Sequence, residues 1–301
     1  MSGERRPQLD AVAIAGLLLC AALWGLNQTA TKVAVAEIPP LLQAAVRSTG
    51  AALLLAGWAA WRRLPVKPAA GSWRGGLLAG ALFAAEFGCI FVGLQYTSAS
   101  RMVVFIYLAP FFVALGMPFI APGERLRGLQ TLGLALAFAG VATAFGEGFG
   151  GATAGPRQWW GDALGVAGAA LWAGTTLTIR ASGLASASAE QTLMFQLVVS
   201  AVLLGGAGLV AGEAWPAQVS PLAWAALGFQ TIVVTFASYL LWFWLVRHYP
   251  ATQISSFTLL TPIFGLAAGV GLLGEPLTMR LVAALGAVTL GIALVSRSGR
   301  R

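Results

Sequence analysis

The stretch AVAIAGLLLCAALWGLNQTA (residues 11–30) is apolar along nearly its whole length and becomes polar only at its end. Such a segment can cross the hydrocarbon core of a bilayer, which requires about 20 apolar residues in a helix. Similar runs recur along the 301-residue chain up to Ser296, separated by short polar connections. Hydrophobic residues make up 58% of the chain, charged residues make up 9%, and the mean hydropathy is +0.81. Since no water-soluble fold can bury this much apolar surface, the sequence predicts an integral membrane protein.

Ten such runs predict ten transmembrane helices. Turn signals rich in proline or glycine separate them, for example Ile38-Pro39-Pro40 and the stretch 146–155. The runs are long and continuously apolar, whereas strands of a membrane barrel alternate over about 10 residues, so the predicted fold is all-α. The predicted spans are 11–31, 41–61, 75–94, 98–120, 127–146, 160–181, 190–211, 221–246, 251–273 and 279–296.

The two halves of the chain share a series of marker residues in the same order. Ala22-Leu23-Trp24-Gly25 matches Ala170-Leu171-Trp172-Ala173, and the mid-span Pro110 matches Pro262. Because each half has five spans, the second half is inverted relative to the first. Inverted repeats are typical of secondary transporters, which bind substrate near the membrane midplane where the repeats meet. We expect a first repeat over 10–147, a linker over 148–159 and a second repeat over 160–297.

Several of these residues resemble those of a known family. They are Leu23-Trp24-Gly25-Leu26-Asn27, Pro39-Pro40 followed by Arg47, the helices of Pro110 and Pro262, and the Gly-Glu-x-Leu turns at 123–126 and 274–277. Over essentially the whole chain they resemble the ten-span members of the drug/metabolite transporter superfamily, which are built from two EamA-type repeats. The chain looks most like the bacterial branch that exports aromatic and other amino acids. This resemblance implies an exporter in the bacterial inner membrane.

Glu86 is the carboxylate placed deepest in a predicted span, within Phe83-Ala84-Ala85-Glu86-Phe87. A carboxylate in the hydrocarbon core is costly and almost always faces a cavity or a partner. We interpret it as an anchor for a substrate amine or as a protonation site. The alternative is a structural role, in which Glu86 pairs with Arg47 or with hydroxyl groups of a neighbouring helix. Arg47 itself has no basic counterpart in the second half, where Gln196 occupies the equivalent place.

Polar and aromatic residues at similar depth complete the predicted substrate site. Pockets for small molecules are mostly apolar with a few placed polar groups. As repeat mates, Trp24 and Trp172 are expected to face each other across the pseudo-twofold axis. A mid-span proline removes a backbone hydrogen bond and creates a bending point. The predicted substrate-binding residues are Trp24, Asn27, Gln28, Phe83, Glu86, Tyr107, Trp172, Thr176, Tyr239 and Phe257, and the predicted hinges are Pro110 and Pro262.

Other classes of function lack their sequence features. The chain has no Gly-Lys pair and therefore no phosphate-binding loop for ATP-driven transport. A single histidine and two cysteines within apolar runs predict neither a metal site nor a disulfide, and no cofactor is expected. The net charge of +8 comes from basic residues at helix ends, so nucleic acid is not an expected partner.

Alternatives to amino-acid export remain open. Export of another small metabolite or of a cationic drug fits the same superfamily. A channel-like facilitator requires a continuous polar pore, for which the spans contain few polar residues. A membrane enzyme requires clustered acids or histidines near one face, whereas Asp162 and Glu190 lie at span ends, so no enzyme is predicted. The expected partners are a small-molecule substrate and the lipid bilayer; the oligomeric state is left open, and a monomer is compatible with the pattern.

The distribution of basic residues predicts that both termini face the cytoplasm. This orientation places 13 of the Lys and Arg residues on the inside and 4 on the outside, as expected for cytoplasmic loops. A reporter that is active only in the periplasm should therefore be inactive when fused after Arg301. Activity of that fusion would exclude the ten-span arrangement.

Overall fold

Helices build the whole of the described structure, which is a computed structural model. It describes residues 9–64, 71–121, 128–149, 155–249 and 257–298. Within these ranges the α-helices are α1 (Ala11–Val35), α2 (Pro40–Arg62), α3 (Trp73–Gly93), α4 (Ala99–Ile106), α5 (Ala109–Ile120), α6 (Gly128–Glu147), α7 (Gln158–Ala181), α8 (Ala189–Val210), α9 (Pro221–Gly228), α10 (Tyr239–His248), α11 (Thr261–Leu273) and α12 (Met279–Ser298). Short 3-10 turns cover Gly183–Ser186 and Thr258–Leu260, and a π-helical segment, Phe229–Ser238, joins α9 to α10.

The all-α prediction is confirmed, and the helices fit a ten-helix membrane protein. Two longer apolar segments are composite, one made of α4 and α5 and the other of α9, the π segment and α10. α2 and α7 are 23 and 24 residues long but carry more polar side chains, including Arg47 and Asp162. The predicted starts of spans 5 and 9 and the centre of the predicted linker lie outside the described residues. The segments long and apolar enough to cross a membrane are Ala11–Val35, Trp73–Gly93, Ala99–Ile120, Gly128–Glu147, Ala189–Val210 and Pro221–Leu245, and 258–273 and 279–294 are shorter apolar helices.

Both mid-span prolines lie just after an interruption in a helix. Span 4 was predicted as one helix, but α4 ends at Ile106 and α5 starts at Ala109, with Pro110 as its second residue. Proline has no N–H to donate to the carbonyl group four residues earlier, so the helical ladder cannot continue through it. In the second half, Pro262 is the second residue of α11 and follows the 3-10 turn. Bending at Pro110 and Pro262 stays a prediction.

The main interfaces between helices join the two halves of the chain in matching pairs. The repeat mates α6 and α12 pack together, as do α2 and α8. α1 packs against α11, and the repeat mates of these two helices, α7 and the α4–α5 segment, also pack together. Likewise, α3 packs against α7, and their repeat mates, the π segment and α1, contact each other. This pattern is the one expected of two inverted five-helix repeats.

Glycines allow several of these helices to touch at the backbone. A Cβ atom on Gly25 of α1 would lie 2.6 Å from the backbone nitrogen of Gly265 in α11. A Cβ atom on Gly161 of α7 would lie 2.7 Å from the carbonyl oxygen of Gly93 in α3. Small residues favour helix association in membranes because they permit such close approach. The two halves are therefore held together by direct contacts between helix backbones, one between α1 and α11 and the other between α3 and α7.

Gly25→Ala should destabilise the protein by about 1–3 kcal/mol, because its methyl group overlaps the backbone of α11. Gly57→Ala is the matched control, since Gly57 is exposed on α2 and its Cβ would meet no atom within 4 Å. The control should be neutral or slightly stabilising, because glycine costs about 0.5–1 kcal/mol relative to alanine inside a helix. Melting temperatures of both purified variants test this prediction, and equal shifts would contradict the close α1–α11 packing.

Candidate functional site

A cavity of about 720 Å³ lies between the two halves of the chain. Its volume is in the range of about 300–1,000 Å³ that is common for small-molecule sites. Helices α1 to α4 of the first half line one side, and α7, α8, the π segment and α10 of the second half line the other. The cavity therefore occupies the interface at which inverted repeats bind substrates.

Aromatic rings from both halves form much of the cavity wall. Trp24 donates its indole N–H to the Ser238 hydroxyl at 2.8 Å, and its ring lies 6.1 Å from that of Tyr239. Trp172 lies 6.0 Å from Tyr107 in an edge-to-face arrangement. Each tryptophan is thus held by a tyrosine of the opposite half. Such walls suit a substrate with an apolar or aromatic part.

Among the described residues, three that line the cavity carry a buried oxygen without a protein hydrogen-bond partner. They are the side-chain oxygens Oδ1 of Asn27, Oε1 of Gln28 and Oε2 of Glu86. Buried polar atoms normally have a partner, and leaving one unpaired costs free energy. These oxygens have almost no accessible surface in this conformation, so pairing with water or a ligand requires their side chains to move.

Arg47 is a further polar residue of the lining and is almost fully buried. Its Nε donates to the Thr235 hydroxyl at 2.7 Å, and its guanidinium carbon lies 4.1 Å from the centre of the Phe87 ring. No ion pair joins it to Glu86 in the structure, although both side chains are described. The direct pairing considered for Glu86 from the sequence is therefore absent from this conformation.

Sequence reasoning considered Arg47 only as a structural partner of Glu86 and gave no role to Thr235. The Thr235 hydroxyl donates at 2.7 Å to the Gln230 carbonyl five residues earlier, within the π segment. π-helical turns are rare and are often found at functional sites. No residue pattern in this stretch predicts one, because the wider turn depends on packing against α1 and α2. In the second half, Gln196 occupies the place equivalent to Arg47, so the sequence gave no reason to expect a role for Arg47 that both repeats share. Both residues nevertheless line the cavity.

A layer of buried amides closes one end of the cavity. Thr31 donates its hydroxyl to the Gln230 Oε1 at 3.1 Å, and the Gln43 amide donates to the same oxygen at 3.3 Å. The Gln230 amide in turn donates to the carbonyl groups of Ala30 and Ala226. This layer joins α1, α2 and the π segment through hydrogen bonds to the Gln230 side chain, whereas the buried Oε1 of Gln43 has no partner among the described residues.

A buried ionic cluster lies at the same end of the bundle, called here the Arg101 end. Arg101 donates to Asp162 at 2.6 Å and to Glu147 at 3.0 Å. The hydroxyl groups of Thr97 and Thr278 donate to Asp162 and Glu147 respectively. The cluster thereby ties α4 and α6 of the first half to α7 and the start of α12 in the second half.

Carboxylates also cap helix N-termini at the Arg101 end. Glu275 accepts hydrogen bonds from the backbone N–H groups of Ala99 and Ser100, and Glu213 accepts from those of Leu41 and Leu42. The exposed Glu37 accepts from the hydroxyl and the N–H of Ser220, and these hydrogen bonds lower the pKa of Glu37. Because free N–H groups at a helix N-terminus favour negative charge, each contact stabilises a connection between the halves.

The cavity reaches the surface at the opposite end, called the Ala185 end. α7 runs from Asp162 in the ionic cluster to the exposed Arg180, which lines the cavity together with the exposed Ala185. Under the predicted orientation, the Ala185 end faces the cytoplasm and the Arg101 end faces the periplasm. The structure therefore has one closed and one open end.

Most of the residues predicted from the sequence lie around the cavity. Pro110 also lines it, whereas Pro262 is buried without reaching it. Phe257 does not belong to the lining; it packs beside the cluster formed by Ala13, Leu17 and Cys20. The Thr176 hydroxyl is committed to the Trp172 carbonyl at 3.1 Å. The predicted residues that line the cavity are Trp24, Asn27, Gln28, Phe83, Glu86, Tyr107, Trp172, Thr176 and Tyr239.

Comparison with known proteins defines the class of this fold and cavity. The chain belongs to the EamA-like transporter family, which it matches over residues 11–146 and 159–297. A similar protein is the uncharacterized transporter YvbV of Bacillus subtilis strain 168, which is 29% identical over 286 residues, covering 92% of this chain and 89% of the relative. A probable amino-acid metabolite efflux pump of Escherichia coli strain K12 is 26% identical over 270 residues, covering 87% of both chains. A crystal structure with a TM-score of 0.66 and 20% identity, covering 97% of this chain and all of that chain, shows the same fold.

Asp162→Asn should open the Arg101 end, because it removes one of two carboxylates that neutralise a buried arginine. Breaking a buried ion pair costs about 3–5 kcal/mol. In a variant without Cys20 and Cys89, a cysteine replacing Val103 in the cavity wall should react faster with an impermeant maleimide added to whole cells.

Glu37→Gln is the matched control for Asp162→Asn, since Glu37 lies at the same end but outside the ionic cluster. It should leave labelling unchanged. If Asp162→Asn lowers the melting temperature without any change in labelling, the cluster braces the fold and does not control access.

Proposed function

We propose that this transporter exports small amphipathic metabolites, most of all aromatic and other amino acids, across the bacterial inner membrane by alternating access. The observation that carries the proposal is the cavity between the halves, in which aromatic walls surround unpartnered polar atoms. The E. coli relative named as a probable amino-acid metabolite efflux pump supports the substrate class. The proposed repeats remain 10–147 and 160–297, with the linker 148–159 between them and both termini in the cytoplasm.

The state of the two ends favours a carrier over a channel. A channel-like facilitator requires a continuous path, whereas the Gln230 layer and the Arg101 cluster close one end in the described structure. Alternating access requires this end to open while the Ala185 end closes. The helix interruption before Pro110 is in the first half and packs against α7 of the second half, whereas the interruption before Pro262 is in the second half and packs against α1 of the first half. In the proposed cycle, bending at these two points would open the Arg101 end while the Ala185 end closes.

Export of a cationic drug is the second candidate function. It is favoured by Glu86, a buried carboxyl group that lines the cavity together with the rings of Phe83, Phe87 and Trp172. Aromatic faces attract cations, and the carboxylate would neutralise them. A cationic substrate without a carboxylate would bind without offering the Arg47 guanidinium a hydrogen-bond acceptor.

Uptake into proteoliposomes distinguishes these functions. Purified protein should take up labelled phenylalanine and other amino acids, and uptake is measured with and without a pH gradient across the membrane. Transport of organic cations alone would favour the drug exporter, and flux that does not saturate with concentration would favour a channel.

Glu86→Gln should impair transport more than folding. If Glu86 binds the substrate amine, the variant loses a charge-assisted hydrogen bond of about 1.5–3 kcal/mol, and apparent affinity falls tenfold or more. If Glu86 carries a proton during the cycle, the pH dependence of transport flattens instead. Initial rates and melting temperature are measured on the same preparation.

Glu190→Gln provides the control for Glu86→Gln, because Glu190 is a buried carboxylate at the Ala185 end and does not line the cavity. Its transport rate per folded molecule should stay normal. Lost stability with unchanged kinetics in Glu86→Gln would remove Glu86 from the site.

A further inference from the structure

The deep part of the cavity carries one positive and one negative side chain. Among the described lining residues the charged ones are Arg47, Glu86 and Arg180, and Arg180 lies at the exposed Ala185 end. Arg47 on α2 is 1% exposed and Glu86 on α3 is 6% exposed. Both groups line the same cavity, yet no ion pair joins them among the described contacts. A guanidinium and a carboxyl group therefore face the same enclosed space.

The contacts of Arg47 fix its guanidinium and leave one edge available. Nε donates to Thr235, and one face of the plane lies on Phe87 at 4.1 Å. Among the described residues, neither Nη1 nor Nη2 of Arg47 has a hydrogen-bond acceptor, and Nε makes the bond to Thr235. These two nitrogens form the end-on fork that binds a carboxylate through two parallel hydrogen bonds. Arg47 is thus oriented by protein contacts that do not use its main recognition edge.

Leaving both charges without direct partners is costly in a buried site. An uncompensated buried ion is strongly destabilising, and proteins normally pair such groups. Arg47 on α2 and Glu86 on α3 both belong to the first half, and no ion pair joins them in the described structure. A ligand that carries an ammonium and a carboxylate on the same carbon would satisfy Glu86 and Arg47 together. A purely cationic ligand would leave Arg47 without an acceptor.

We infer that Arg47 is the residue that binds the substrate carboxylate, so that Arg47 and Glu86 together select α-amino acids in their zwitterionic form. This inference rests on the proposed function and assigns the two charges of its substrate. The aromatic rings of Trp24 and Trp172 then face the substrate side chain, and they tolerate different side chains because they contribute no charge. Selectivity is accordingly high for the zwitterion and low for the side chain.

Calorimetric binding to the purified wild-type protein tests the assignment without any mutation. The probes are L-phenylalanine, phenethylamine, which lacks the carboxylate, and 3-phenylpropionate, which lacks the amine. Phenylalanine should bind at least about tenfold more tightly than either analogue, since each analogue loses one charge-assisted contact. Phenethylamine that binds as tightly as phenylalanine would overturn the role of Arg47.

Substitutions assign each charge to its partner. Arg47→Gln should raise the Kd of phenylalanine and of 3-phenylpropionate about 10- to 100-fold and leave that of phenethylamine within about twofold. Glu86→Gln should raise the Kd of phenylalanine and phenethylamine but not that of 3-phenylpropionate. Arg62→Gln is the matched control, because Arg62 is exposed on the same helix, α2, and does not line the cavity, so the variant should preserve the discrimination among the three probes.

The outcomes separate this inference from the proposed function. If wild-type protein binds or transports no amino acid, the proposed function is wrong and the inference falls with it. If phenylalanine binds but Arg47→Gln weakens phenylalanine and phenethylamine equally, the proposed function stands and the carboxylate assignment is wrong. Arg47→Lys keeps the charge without the fork and should show a smaller loss than Arg47→Gln. If both variants fail to fold, the wild-type comparison of the three probes decides.

Discussion

A polar group that lacks a hydrogen-bond partner inside a bilayer costs several kcal/mol, and this constraint shapes the whole structure. The backbone meets it by forming helices. Away from the cavity, side chains such as Gln230 meet it through protein partners, with contacts to Thr31, Gln43 and two carbonyl groups. Several buried oxygens depart from the rule, and those of Asn27, Gln28 and Glu86 belong to residues that line the cavity. A hydrogen bond from a polar ligand or from water would recover the free energy that is lost while these oxygens are unpaired.

The same constraint explains why the two ends of the bundle differ. At the Arg101 end, buried charges are paired: Arg101 lies between Asp162 and Glu147, and Glu275 caps the N-terminus of α4. These contacts link the halves in the closed arrangement that the structure shows. At the Ala185 end, the exposed side chains allow water to enter the cavity. Opening the Arg101 end would require its ionic groups to become hydrated, which is feasible at the membrane surface but not at its centre.

The sequence was sufficient to predict the spans, because the length of each apolar run reflects the thickness of the bilayer. It was also sufficient to predict the inverted repeats, because Trp24, Pro110 and their counterparts in the second half occur in the same order. It also placed Glu86 in the site, since an intramembrane carboxylate is rare. It failed where the outcome depends on packing between distant segments. The π segment that aligns Thr235 with Arg47 has no local signature. Phe257 was expected in the cavity, but the face that a helical aromatic residue presents depends on its neighbours, and it packs beside Leu17 instead.

The central claim is that the cavity between the halves is the substrate site of a gated carrier. The most direct measurement is an experimental structure, by electron cryo-microscopy in a lipid nanodisc, with saturating phenylalanine. The account predicts ligand density between Trp24 and Trp172, with the amine beside Glu86. An empty cavity, or density on another surface, in a preparation that transports phenylalanine would contradict it.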